Sequence, residues 1–186
     1  MHTSTTSRRS IGERVPPFSL ETLSHGRIRV PDGRYTHLQF RRFAGCPVCN
    51  LHLRTFSAHL PRLDAVGVRT IAFFHSSEAS MRPYQGELPL AVVPDPDRRW
   101  YEAFGVEEST LSVAHPSAMW AGLKGLATVP SSPIVGEGGH SGLPADFLID
   151  ATGAIVAVRY GSHANDQWSV DEVIALAGGG RAGGAR

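Results

Sequence analysis

The chain has 186 residues, of which 41% are hydrophobic and 19% charged, as in one globular domain with a sizeable core. A formal net charge of +1 excludes a strongly basic surface, so the composition does not indicate a nucleic acid or a membrane as partner. No apolar run approaches the length needed to span a membrane.

The N-terminal part of the chain predicts a polar tail followed by short strands. Residues 1–14 are polar and are expected to be disordered. Residues 15–20 predict an edge strand that the chain enters through two prolines. Residues 26–30, followed by a Pro-Asp-Gly turn, predict a second strand. Residues 38–43 predict a third, which leads directly to the only two cysteines of the chain.

The two cysteines, Cys46 and Cys49, form a CPVC motif between this strand and a predicted helix. Apolar residues recur at intervals of four and three from Cys49 to Leu63, which predicts one buried helix face. Pro47 suits the first helical position because its missing N–H would be unpaired there. We therefore expect an exposed, nucleophilic Cys46 at the helix start and a resolving Cys49 that points toward the core. Pro61 is expected to kink or restart the helix.

Three other interpretations of the cysteine pair stay open. The two side chains could be small core residues. They could close a structural disulfide, although so short a loop would stabilise the fold little. They could also supply half of a zinc site with His52 or His75, but the sequence has no second CxxC or HxxxH to complete four ligands. No metal and no cofactor is therefore predicted.

The middle of the chain continues an alternation of helices and strands. Residues 68–74 predict a buried parallel strand, which completes a βαβ unit with the preceding helix. A serine at 76 or 77 is expected to cap a short helix that Pro83 limits. Further on, the sequence predicts a strand at 88–93 and a helix at 98–104 capped by Asp97.

Residues 107–142 interrupt this alternation. They contain one candidate helix at 118–126 and then a stretch rich in Pro, Gly and Ser. An insertion of this length is either a functional lid or a plain surface excursion, and the sequence favours neither. Trp120 is the best candidate in it for an exposed contact residue.

The C-terminal part predicts a hairpin and a last helix. Two strands, 145–150 and 154–160, flank a turn that contains Gly153. A capping box formed by Ser169 and Glu172 starts the last helix. This helix is expected to end at residue 177, residues 178–186 are expected to be a flexible tail, and one domain is expected to span residues 15–177.

These motifs resemble the thioredoxin superfamily, and within it the peroxiredoxin-like branch related to alkyl hydroperoxide reductase and thiol-specific antioxidant. The resemblance rests on CPVC after a strand, on Leu143-Pro144 before Asp146-Phe-Leu-Ile-Asp150, and on the capped last helix. It implies an α/β, thioredoxin-like fold with a central mixed β-sheet flanked by helices, carrying the insertion around residues 107–142.

The sequence departs from peroxiredoxins at two places in the active site of that family. By the resemblance, Cys49 takes the position of the peroxidatic cysteine, and Cys46 takes the position of a threonine. An arginine of that family would fall near Pro144, which instead resembles the cis-proline of thioredoxins. The resemblance therefore predicts a cis Leu143–Pro144 peptide bond close to Cys46.

Charged and titratable residues near the motif are candidates for tuning the thiols. Arg41 and Arg42 precede it and could lower a cysteine pKa by their charge. As neighbours in a strand they point to opposite faces, so at most one is expected to face the thiols. His52 and His75 are further candidates, each with a surface role as the alternative. His140 is a candidate only because the resemblance places the following Leu-Pro segment near the thiols.

The first functional hypothesis is a thiol–disulfide oxidoreductase in which Cys46 attacks a substrate disulfide and Cys49 resolves the mixed disulfide. The alternatives are an antioxidant thiol peroxidase that reduces hydroperoxides and a non-enzymatic binding protein that keeps the fold. The expected partners are a disulfide or peroxide substrate and a thiol reductant, either thioredoxin or a low-molecular-weight thiol. A reducing, cytoplasmic compartment is expected, and a homodimer is one candidate for the oligomeric state. The residues expected to shape the site or bind substrate are Pro47, Pro144, Leu143, Arg42, His52 and His75.

Overall fold

The computed structural model describes residues 7–106, 116–132 and 142–183 as an α/β arrangement of strands and helices. The strands are β1 (Phe18–Glu21), β2 (Arg27–Val30), β3 (Tyr35–Phe40), β4 (Val68–Phe74), β5 (Ala91–Pro94), β6 (Ala145–Ile149) and β7 (Ile155–Tyr160). The helices are α1 (Pro47–Ala58), α2 (Leu60–Ala65), α3 (Glu78–Gln85), α4 (Arg99–Ala103), α5 (Pro116–Thr128) and α6 (Val170–Gly183).

The main sheet is mixed, as predicted, with strand order β5-β4-β3-β6-β7. β3 runs parallel to β4, and β4 parallel to β5, while β6 is antiparallel to both β3 and β7. Phe40 of β3 pairs with Phe73 of β4 and with Ala145 of β6. The ends of β3 and β4 and the start of β6 therefore meet at one edge of the sheet.

Both faces of this sheet are buried. One face packs against α1 and α6 through a cluster that includes Leu53, Phe56 and Trp168. The other face carries an aromatic cluster in which Phe40 stacks on Phe73 with ring centroids 4.7 Å apart. This explains the near-continuous apolar composition of β4, which the sequence predicted to be a buried parallel strand.

The helix that follows the cysteines is broken where the sequence predicted. α1 ends at Ala58, His59 lies between the two helices, and Pro61 is near the start of α2. Proline lacks the N–H that a continuous helix would need, so the chain restarts rather than continues. The predicted apolar face is buried at Cys49, Leu53, Phe56 and Leu63.

Other boundaries differ from the sequence predictions for local reasons. α3 runs through Pro83 to Gln85 instead of ending before the proline. Asp95, not Asp97, caps α4, because its carboxylate accepts hydrogen bonds from the backbone N–H groups of Arg99 and Trp100. The predicted capping box is present, with Ser169 and Glu172 hydrogen-bonded to each other's backbone N–H groups. The helix it starts continues to Gly183 rather than ending at residue 177.

The part of the N-terminal segment that the structure describes contacts the sheet. The N–H of Gly12 donates to the carbonyl of Ile155 at 2.8 Å, and Arg14 forms a β-bridge with Ala154. The prediction of disorder is therefore wrong for residues 7–14, since Gly12 and Arg14 of this segment lie beside the start of the edge strand β7. Within the described ranges, no helix is both long enough and apolar enough to cross a membrane.

Candidate active site

The CPVC motif lies at the turn between β3 and α1, as predicted. Cys46 is the N-cap of α1, and its sulfur accepts the backbone N–H of Cys49 at 3.4 Å. Pro47 takes one of the first helical positions. The Arg42 guanidinium donates to the Cys46 sulfur at 3.8 Å. Both cysteines are free thiols.

A set of buried polar side chains holds this turn in place. The N–H of Ala44 donates to the hydroxyl of Ser76 at 3.0 Å. The carbonyl of Ala44 accepts from the side-chain amides of Asn50 and Gln85, at 3.0 and 2.7 Å. Gln85 also donates to the side-chain oxygen of Asn50 at 2.6 Å. The sequence analysis missed Asn50 and Gln85, because neither belongs to a motif and they meet only in the fold.

The expectation of an exposed Cys46 is wrong. Cys46 is 0% exposed and Cys49 is 1% exposed, so neither thiol is open to solvent. Position at a helix start does not guarantee exposure, because another element can cover the end of the helix.

Two electrostatic environments separate the thiols. Burial and the hydrogen bond to Cys49 raise the pKa of Cys46 well above its usual value, despite the nearby charge of Arg42. Burial also raises the pKa of Cys49. This effect is outweighed by the hydrogen bond from Cys46, the charges of Arg42 and Arg41 and the backbone N–H of Arg42, and the pKa is lowered to about 7. Cys49 is therefore the thiol that ionises more readily.

A row of polar side chains lies under α1, on the face of β3 that carries the cysteines. His37, Gln39 and Arg41 alternate along the strand and its end, and all three are buried. Arg41 donates to Asp146 of β6 at 2.8 Å and to the side-chain oxygen of Gln39 at 2.7 Å. His37 forms a 2.9 Å hydrogen bond with the same Asp146 carboxylate.

Arg41 in this row carries a positive charge that acts on the Cys49 thiol. Burial raises the pKa of Asp146. The charge of Arg41 and the hydrogen bond with His37 lower it by more, so the pKa lies well below its usual range. Burial lowers the pKa of His37, so this histidine is neutral at physiological pH. Arg41 and Asp146 thus form a buried ion pair. The expectation that at most one of the two arginines faces the thiols does not hold for their charges, because Arg42 contacts Cys46 while the charges of both Arg42 and Arg41 lower the pKa of Cys49.

Helix α5, the described part of the insertion, covers the CPVC turn. The helix carries glycines where it meets the turn: a carbon added at Gly125 would lie 2.7 Å from the carbonyl carbon of Pro47. After α5, the N–H of Ser132 donates to the carbonyl of Gly45 at 2.9 Å, and Asn50 donates to the carbonyl of Pro130 at 3.1 Å. The candidate helix of the insertion is confirmed, and α5 packs against the turn that carries the thiols.

The Leu143–Pro144 segment differs from its thioredoxin-like prediction. Among the described residues the cis peptide bond is Val30–Pro31, so the prediction of a cis Leu143–Pro144 bond is wrong. Pro144 is buried, and its carbonyl accepts the N–H of Gly161 at 2.8 Å. Gly142, two residues earlier, lies against the side chains of Arg42 and His75.

The two predicted histidines lie in different places, His52 within α1 and His75 directly after β4. His52 is partly buried, 3.3 Å from the Arg41 guanidinium, and burial together with that charge lowers its pKa. His75 is buried at the end of β4. His140 lies outside the described residues. In the described part of the chain, no group of three or more His, Cys, Asp or Glu side chains is arranged to hold a metal ion.

The sequence of this chain matches a known protein family. Residues 11–158 match the model of the AhpC/TSA family, which is most of the chain. The chain belongs to the AhpC/TSA family. The peroxiredoxin-like resemblance predicted from the motifs is thereby confirmed, and the AhpC/TSA protein is a thiol-dependent oxidoreductase rather than a binding protein without activity. No curated protein matches it by sequence.

Solved structures show the same fold in peroxiredoxins. Peroxidoxin BcpB from Mycobacterium tuberculosis superposes with a TM-score of 0.66 at 14% identity, covering 91% of this chain and 96% of that one. A cysteine mutant of peroxiredoxin 6 from Arenicola marina gives 0.71 at 14% identity, with 96% and 76% coverage. The reduced 2-Cys peroxiredoxin of Plasmodium vivax gives 0.66 at 14% identity, with 95% and 99% coverage. At this identity the likeness concerns the fold, which is the predicted thioredoxin-like one.

Displacing α5 of the AhpC/TSA protein is expected to expose the thiols. Gly125→Ala places a methyl group against the Pro47 backbone, and overpacking of this kind costs about 1–3 kcal/mol. If that cost falls on the closed state, alkylation of the cysteines by iodoacetamide should accelerate roughly tenfold to hundredfold.

Gly122→Ala is the matched control for this prediction. Its added carbon would lie 3.8 Å from the Val48 side chain, an ordinary contact. Both substitutions exchange glycine for alanine in one helix, so the gain in helix propensity is common to both. Equal alkylation rates for the two variants would show that α5 does not control access.

Proposed function

We propose that this AhpC/TSA protein is a thiol peroxidase in which Cys49 attacks the peroxide and Cys46 resolves the product. The observation that carries the proposal is the position of the two thiols on the first turn of α1 in an AhpC/TSA chain, beside Arg42, whose charge together with that of Arg41 lowers the pKa of Cys49. A thiolate is the nucleophile in peroxide reduction, and at neutral pH Cys49 is the thiol with a large thiolate fraction.

The reaction balances with the two thiols and an external reductant. The Cys49 thiolate attacks one oxygen of ROOH, the O–O bond breaks, and Cys49 becomes a sulfenic acid while the leaving oxygen takes a proton to give ROH. The Cys46 thiol then attacks the Cys49 sulfur, a disulfide forms and water leaves. Two reductant thiols exchange with this disulfide, restore both cysteines and leave as a disulfide.

The positions of the residues support this order of events. Cys46 and Cys49 lie on one helical turn, and the backbone N–H of Cys49 donates to the Cys46 sulfur, so a disulfide requires little movement. Cys46 takes the place of the family's threonine in the motif comparison, and here that position supplies the resolving thiol. Arg41 and Arg42 provide the positive charge that stabilises the Cys49 thiolate.

A second candidate function is thiol–disulfide exchange by the same pair. It is favoured by the position of Cys46 at the N-cap, where the N–H of Cys49 and the Arg42 guanidinium both reach its sulfur. In that case Cys46 would attack a substrate disulfide and Cys49 would resolve it. The raised pKa of Cys46 and its complete burial argue against this role, so we rank it second.

The partners follow from the proposed chemistry. The substrate would be a hydroperoxide and the reductant thioredoxin or a low-molecular-weight thiol. Two cysteines in CxxC spacing suit a reducing compartment rather than a disulfide scaffold, and a cytoplasmic location stays a prediction. A homodimer stays a prediction.

The test compares two oxidants on the reduced protein. Hydrogen peroxide should be consumed catalytically with a thiol reductant, and mass analysis should show the loss of two hydrogens confined to the peptide that contains Cys46 and Cys49. Rapid reaction with a small aromatic disulfide but none with peroxide would favour the second candidate. Inertness toward both oxidants would contradict both functions.

A further inference from the structure

The side of α5 that faces away from the CPVC turn is exposed and apolar. Within the described ranges, five large hydrophobic residues are exposed, and four of them belong to this one helix. They are Met119 (64% exposed), Trp120 (72%), Leu123 (63%) and Leu126 (45%). Hydrophobic residues scattered singly over a surface are ordinary, whereas a cluster of this kind marks a surface that binds something.

The spacing of these residues gathers them into one face. Met119, Leu123 and Leu126 are separated by four and three residues, and Trp120 precedes Leu123 by three, so their side chains are neighbours on the helix surface. We call these four side chains the outer face of α5. The helix sequence has one charged residue, Lys124, which comes one turn after Trp120 and borders the outer face.

The opposite side of α5 is already packed against the protein. Ala118 and Gly125 are buried there, and a carbon added at Gly125 would lie 2.7 Å from the carbonyl carbon of Pro47. A rotation of α5 that buried Leu123 would place a larger side chain where the structure has room for a glycine alone. The outer face therefore cannot be buried by turning the helix, and a partner has to cover it from outside.

The outer face has the size that one half of a small dimer interface needs. Its four side chains together expose about 500 Å² per protomer, at the upper end of the apolar patches that monomers show. Two such faces packed together would remove about 1,000 Å² from water, which is near the lower limit for a specific interface. The neighbouring Pro116 and Ala127 are exposed as well and would add to this area.

The charge of the helix favours a second copy of the chain over other partners. Amphipathic helices that bind membranes carry several Lys or Arg residues beside the apolar face, whereas α5 has Lys124 alone. An acidic partner would also need more positive charge than this. An apolar centre with a charge at its border is the composition of a homodimer interface. Two-fold symmetry lets each outer face meet an identical one, so no second complementary surface is required.

We propose that the outer face of α5 binds the same face of a second copy, so that the protein forms a dimer in which the two α5 helices pack across a two-fold axis. The inference does not depend on the proposed peroxidase function. Since the other side of α5 packs on the CPVC turn, the interface lies one helix away from the two thiols, and each copy would hold its partner's α5 against that turn.

The test measures the dimer dissociation constant of the reduced full-length protein by sedimentation velocity, over about 1 to 100 µM. Leu123→Glu places a charge in the middle of the outer face, and it should raise the dissociation constant about 100-fold or more. Ile11→Glu is the matched control, because it makes the same kind of change at a residue that is 66% exposed and lies outside α5. The control should stay within roughly threefold of the wild type.

A second variant and a lipid measurement complete the test. Trp120→Ala removes the largest side chain of the outer face and should raise the dissociation constant at least about tenfold, and it decides the question should Leu123→Glu fail to fold. A wild-type protein that is monomeric at about 100 µM would overturn the inference. So would a dimer that neither variant weakens, or one that Ile11→Glu weakens equally. A monomer whose tryptophan fluorescence shifts to the blue on phosphatidylglycerol vesicles would overturn it in favour of a lipid surface.

Discussion

Cys49→Ser is expected to abolish peroxide consumption, whereas Cys46→Ser is expected to keep the first reaction with peroxide and lose rapid turnover. The reason is the order of the two pKa values, with that of Cys49 lowered to about 7 and that of Cys46 raised. Without Cys46, a sulfenic acid on Cys49 has no neighbouring thiol to resolve it. It should therefore persist and be trapped by a dimedone probe.

The pH dependence of the first reaction checks the same assignment. Because the pKa of Cys49 is lowered to about 7, its thiolate fraction rises through neutral pH and levels off above it. The peroxide rate constant should follow this curve in the wild type. In Cys46→Ala the hydrogen bond from Cys46 is lost, so the curve should shift to higher pH. Full peroxide activity in Cys49→Ser would instead make Cys46 the attacking residue.

Local patterns predicted the elements around the motif well. The apolar repeat from Cys49 to Leu63 and the break at Pro61 depend on residues within one or two helical turns. The capping box of Ser169 and Glu172 is equally local. Such features depend on neighbours in sequence, and therefore appear in the sequence itself.

The burial of the thiols could not be predicted in this way. One element packed on the motif is α5, which lies far along the chain and approaches the turn through Gly122 and Gly125. A signal was present, because the helix carries apolar residues and glycines together with a single charged residue, Lys124. That pattern indicates close helix packing but does not name the surface against which the helix packs.

The buried polar row was also missed, for a different reason. The predicted strand began at Leu38 and ended at Phe43, so His37 fell outside it and the alternation of His37, Gln39 and Arg41 went unnoticed. Three polar residues at period two, on a strand next to the motif, indicate a polar face. Their partner Asp146 lies on β6, and only the antiparallel pairing of Gln39 with Asp146 brings the charges together.

Asp146→Asn is expected to destabilise the fold strongly. The side chains of Arg41 and Asp146 are both 0% exposed and joined at 2.8 Å, and His37 uses the same carboxylate. Breaking a buried ion pair by removing one partner leaves an uncompensated charge and costs about 3–5 kcal/mol. Urea denaturation should show this loss. Asp171→Asn is the control, because the Arg62–Asp171 pair is 52% and 77% exposed and is worth less than about 1 kcal/mol.

The pH profile of this loss tests its electrostatic origin. The pKa of Asp146 is lowered in the folded state, so its contribution is fully present above the unfolded value of about 3.9 and is lost as the pH falls through the folded value. The difference in unfolding free energy between wild type and Asp146→Asn should therefore be constant from about pH 5 to 8 and shrink only in strong acid. Replacing both partners by apolar residues, as in Arg41→Met with Asp146→Leu, should cost less than Asp146→Asn alone, because no buried charge is left unpaired. A double variant less stable than the single one would show that packing around these side chains, rather than charge pairing, stabilises this part of the fold.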